Sequence, residues 1–136
     1  MANGVINEDV TEFGQSKRYD FIFSIVTMQH VDRNESSRDP TKIIKAMENL
    51  KKIMSPDGII LIFHGLGENK EMDELLKTGK LEFSQIFYLK KISKYQWAEA
   101  KWDDVKYLSY DYSIPTARSV LIAVFVKNMS KQKLFN

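Results

Sequence analysis

The sequence predicts one α/β domain, residues 1–136, built on a parallel strand–helix–strand unit and closed by an antiparallel pair of C-terminal strands. Three observations carry that prediction. Tyr19 to Met28 and the IILIFHG run opened by Gly58 are short, apolar and without alternation, as in strands of a helix-covered sheet. Between them, TKIIKAMENLKKIM places Ile43, Ile44, Met47, Leu50, Ile53 and Met54 at steps of three and four, an amphipathic helix. At the C-terminus, VKYLSYDYS alternates and SVLIAVFVKN is continuously apolar, two adjacent strands joined through IPTAR.

Taken in order, the strand 20–28 reads as buried on both sides, because its β-branched and aromatic residues fall on both alternating faces. The polar stretch VDRNESSRDP follows and ends in Asp39-Pro40. Proline suits a first helical turn and Asp39 is a competent cap. SPDG (55–58) stops the helix 41–54, since Pro56 resists helix and Asp57-Gly58 is turn chemistry. Strand, helix, turn, strand makes a right-handed parallel crossover. NKEMDELLKTG reads as a short helix ended by Gly79. FSQIFYLKKIS reads as a strand and SKYQWAEAKW as a helix.

Composition narrows the function. Lys and Arg number 20 against 18 Asp and Glu, a net charge of +2, too balanced for a nucleic-acid face. Lys90, Lys91 and Lys94 read as a solvated surface stretch. Cysteine is absent, so disulfides and thiolate metal sites are excluded and a reducing cytoplasm is the expected compartment. Two histidines 34 positions apart make a poor metal set. The N-terminus shows no signal-peptide pattern, and runs such as 59–63 and 120–126 are too short to cross a bilayer. The expectation is a soluble protein.

The stretches YDFIFSIVTMQHV and LKKIMSPDGIILIFHGLG resemble the second half of the class I S-adenosylmethionine-dependent methyltransferases. That family's fourth strand reads Tyr-Asp, apolar residues, then Ser or Asn, with Glu or Gln, His and an apolar residue near its end. The counterparts are Tyr19, Asp20, Ser24, Gln29, His30 and Val31. Its next helix ends in a Pro-Gly-Gly stop, matched by Met54, Ser55, Pro56, Asp57 and Gly58. A closing antiparallel pair is also that family's signature, fitted by 105–126; the likeness spans residues 5 to 126.

The resemblance implies a Rossmann-like methyltransferase half-sheet, with the last strand between the fifth and sixth and antiparallel to both. It implies S-adenosylmethionine as methyl donor, with Ser24, Ile25 and Val26 along its methionine side. It puts His30 at the transfer site, as a base near neutrality or as a hydrogen-bond partner of its own loop. It also implies Asp9 and Val10, in GVINEDVTEF, at the adenine. The loop 32–40 and Tyr95, Trp97, Trp102, Tyr107, Tyr110 and Tyr112 would flank the acceptor or serve in packing.

The family's first strand and glycine-rich turn have no counterpart here. Only Gly65-Leu66-Gly67 has G-x-G spacing, and the third glycine is missing. Without its neighbour, strand 20–28 exposes an apolar edge that invites pairing. The expected partners are a second copy, as a homodimer, or a chain supplying the missing half. Three readings follow: a truncated or split methyltransferase, a non-catalytic remnant acting in assembly, or an unrelated α/β protein.

Overall fold

The computed structural model describes residues 4, 6–14, 16–31, 39, 41–111 and 117–127. The loop 32–38, Pro40 and Tyr112 lie outside that set. The apolar runs become one five-stranded mixed sheet: β1 (Tyr19–Ile25), β2 (Met54–Gly65), β3 (Gln85–Lys91), β4 (Trp97–Ala100) and β5 (Ser119–Val126). The helices are α1 (Thr41–Ile53), α2 (Lys70–Lys77) and the short α3 (Trp102–Val105), with a 3-10 turn at Met28–His30.

The strand order is β1-β2-β5-β3-β4. β1 and β2 are parallel, while β5 runs antiparallel to both of its neighbours, β2 and β3, and β4 is antiparallel to β3. Helix α1 starts where expected: Asp39 accepts from the Thr41 amide at 3.0 Å and from its hydroxyl. Those two bonds hold the Asp39 carboxyl below its usual pKa. SPDG forms an irregular step in the β1–β2 ladder, where Tyr19 pairs Met54 and Phe21 pairs Ile59. The Ser55 hydroxyl donates to Asp20 across it at 2.7 Å. A Cβ on Gly58 would stand 2.7 Å from Met54 Cγ and 3.0 Å from the Tyr19 carbonyl, so only glycine fits. Asn69 caps α2 by accepting from the Met72 amide at 3.1 Å, and Gly79 follows it at φ +71°.

Ladder partners share a face, which divides the sheet in two. Ile60 and Ile62 of β2 and Leu121 and Ala123 of β5 lie on one face, in the buried core cluster with Ile43, Met47, Leu50 and Ile53 of α1, Met72 of α2 and Val105 of α3. Phe21, Phe23 and Ile25 of β1 lie on the other face with Leu61 and Phe63 of β2, outside that cluster.

Two expectations are corrected here. β1 is not covered on both sides: Phe21, Phe23 and Ile25 are 53%, 49% and 58% exposed, because the described helices pack on the opposite face. Nor do the described residues 105–111 form a strand beside β5. Residues 105–108 are instead the end of α3 and a turn, with the Leu108 amide donating to the Val105 carbonyl at 3.0 Å. The antiparallel partners of β5 are β2 and β3, and SKYQWAEAKW holds strand β4 rather than a helix.

Ile62 is 1% exposed at the centre of the covered face. Replacing it with alanine is expected to lower unfolding free energy by about 2–5 kcal/mol, read from urea titrations.

Candidate functional site

The parallel strands β1 and β2 point their carboxyl ends the same way, the usual place for a ligand in an α/β sheet. At that end the ladder continues one step beyond β1, the Val26 amide donating to the Phe63 carbonyl at 3.0 Å. Val26 itself has φ +54°, the one non-glycine residue at positive φ among those described. For a β-branched residue this conformation costs roughly 1–3 kcal/mol, and such strain tends to gather at functional positions. The Thr27 hydroxyl donates to the Ile25 carbonyl at 3.0 Å, turning the chain into Met28–His30.

His30 projects from that turn with its side chain 45% exposed, and its Nε2 stands 4.0 Å from Oε1 of Glu68, whose side chain is 8% exposed. Glu68 follows β2, so the pair bridges the ends of the two parallel strands. Ser24 faces the covered side opposite Ile62; it is buried and its Oγ has no hydrogen-bond partner. Ile25 and Val26 are about half exposed. These four predicted residues therefore gather at one end of the sheet.

Asp9 and Val10 are held elsewhere. The Asn49 side chain, 3% exposed, donates to the carbonyls of Val10 and Phe13, both at 2.9 Å. Phe13 stacks on Tyr19, at the opposite end of β1 from His30. Asp9 accepts from the Thr11 amide at 2.8 Å and from its hydroxyl at 2.7 Å, and these bonds lower its pKa.

A second polar group lies at the end of β2. His64 is buried, and its Nε2 meets Asp73 Oδ1 at 2.7 Å while the Gly67 amide donates to Oδ2 at 2.9 Å. His64 Nδ1 is buried without a partner. Gly67 has φ +86°, and a Cβ there would stand 2.8 Å from the Tyr110 amide. Asp73 opens onto a cleft of about 610 Å³ between α2 and α3, lined also by Leu66, Lys77, Trp102 and Tyr107. Of the aromatic residues expected beside an acceptor, Trp102 and Tyr107 reach it; Tyr95 is exposed in the β3–β4 turn.

Glu68 and Asp73 escape a reading by motif. The signal for Asp73 was its place in the first turn of a helix entered directly from His64's strand. Among the described residues no group of three or more His, Cys, Asp or Glu side chains is arranged to hold a metal. No described helix is long and apolar enough to cross a membrane. No family model, curated protein or solved structure matches the chain.

Asp73→Ala leaves Gly67 N–H and His64 Nε2–H unmatched, and is expected to cost about 1–3 kcal/mol in thermal or urea unfolding, with Asp73→Asn costing less. Val26→Asn, which tolerates positive φ, is expected to raise stability by about 1 kcal/mol in the same assay.

Proposed function

We propose that the chain is the carboxyl-terminal half of an S-adenosylmethionine-dependent methyltransferase fold, serving methyl transfer to an acceptor whose identity these residues do not specify. The observation that carries the proposal is the position of β5, inserted between β2 and β3 and antiparallel to both. This is the arrangement the sequence resemblance calls for, and an arbitrary α/β sheet has no reason to adopt it.

The residues at the strand ends fit part of such a site. Ile25 and Val26 offer an apolar wall and His30 a proton acceptor steadied by Glu68. The donors for the cofactor's ribose and carboxylate are not among them. The glycine-rich turn must come from another segment or chain. S-adenosylmethionine supplies a methyl group on a sulfonium, open to in-line attack by an acceptor lone pair. Positioning carries most of such a reaction, and His30 takes the proton that a protic acceptor loses. Asp9 and Val10, held at the far end of β1, have no part in this arrangement.

A second reading, an assembly module without catalysis, is favoured by one observation: the wall at Ile25 and Val26 has no polar partner for the cofactor. Titration of the 136-residue chain with S-adenosylmethionine, followed by amide NMR, separates the two. The methyltransferase reading expects shifts confined to residues near 25–31 and 64–68, with weak affinity near about 1 mM, or roughly 4 kcal/mol, from half a pocket. Unmoved amides at saturating cofactor would sink it and leave the assembly module.

A further inference from the structure

The sheet face on which no described helix packs is wider than one strand, most open at β1 and closing toward the end of β5, where Val124 and Val126 are buried. Ladder pairing aligns Phe23 with Leu61, Ile25 with Phe63, Phe63 with Ile122 and Ile122 with Phe87, so a band of apolar side chains crosses four strands. Over the described residues of β1 from Phe21, of β2 from Ile59 and of β5, this face has no Asp, Glu, Lys or Arg. Charge returns at the far side, where Lys91 pairs with Trp97 and Leu89 with Glu99. An apolar centre with a charged margin is the anatomy of an interface.

We propose that a second copy of this chain covers that face, the two sheets packing against each other about a two-fold axis with both helix layers outside. Area supports it. Phe21 and Phe23, about half exposed, each offer roughly 100 Å². With Ile25, Trp97 and the partly exposed residues of β2, β3 and β5, the patch reaches roughly 600 Å² per copy, at the lower end of the range for specific complexes. Charge supports it too. The band has no charge to select a charged partner, and a net charge of +2 sets up little repulsion between copies.

Geometry favours the face over the edge. Joining two β1 edges would extend the sheet and leave both apolar faces in water. Face-to-face packing removes both at once, at the usual spacing of about 10 Å, and a two-fold axis makes the same band serve both copies. None of this depends on the methyltransferase reading.

Light scattering on the size-fractionated 136-residue chain, without cofactor, from about 2 to about 200 µM, tests the proposal. The expected mass is twice the 15.8 kDa of one chain. Phe23→Glu is expected to weaken the dimer at least about thirtyfold while the far-ultraviolet circular dichroism stays that of the parent, because Phe23 lies outside the core. Ile25→Glu on the same face is expected to act alike. A monomer across the whole range overturns the proposal, as does a chain that associates only when a different polypeptide is added. A dimer whose dissociation constant neither variant changes overturns it in favour of the β1 edge.

Discussion

All three described helices lie on one face of the sheet, and the handedness of the crossovers is the reason. β1, β2 and β3 point the same way, since β5 is antiparallel to both β2 and β3. Along the order β1-β2-β5-β3 the chain moves from β1 to β2 and from β2 to β3 in one direction. Right-handed crossovers taken in one direction place their helices on the same side. A sheet gains helices on both faces only where the direction of travel reverses. The one return, from β4 across β3 to β5, joins two strands that both point the other way, so its helix α3 falls on the same side as α1 and α2, and no described helix packs on the face carrying Phe23, Leu61 and Ile122.

The same geometry bears on the candidate site. In doubly wound sheets the ligand crevice opens where the strand order reverses. Here that point could lie only at the free edge of β1, beyond which no described strand continues. His30, Glu68 and the strained Val26 sit at the carboxyl end beside that edge. The exposure of His30 and Val26 is what half a crevice would show: one wall in place, and solvent where the other would stand. The His64–Asp73 pair, one strand further in, ties the end of β2 to α2 and steadies the floor on which the open wall rests.

The sequence makes some of this plain. The three-and-four spacing of Ile43, Met47, Leu50 and Ile53 needs only a helix and a sheet to cover, and each residue is buried as that spacing requires. Asp39, Asn69 and Gly79 act locally, so the ends of α1 and α2 are legible in a few residues. Other features depend on distant partners. Phe21, Phe23 and Ile25 look like the core of a covered strand because the face they form is suited to burial, and nothing in the strand tells what does the covering. WAEA has the residues of a helix, yet the ladder with β3 makes it a strand. Helix α3 is then left with four residues, held by the Asp104 carboxylate accepting from the Lys101 amide at 2.9 Å. Asp9 and Val10 looked like part of the site by local likeness, and Asn49, some forty positions on, fixes Val10 elsewhere.

Two demands made by β1 are therefore separate. Its backbone groups point outward in the plane of the sheet and ask for a strand; its side chains Phe21, Phe23 and Ile25 stand perpendicular to that plane and ask for a layer. A partner meeting only the first would leave the apolar band wet, and a partner meeting only the second would leave the edge open. A second copy packed on the face leaves the edge free at the place where the crevice would have to be completed. Association through the face and completion of the site through the edge thus use different atoms of the same strand, and neither needs the other to be given up.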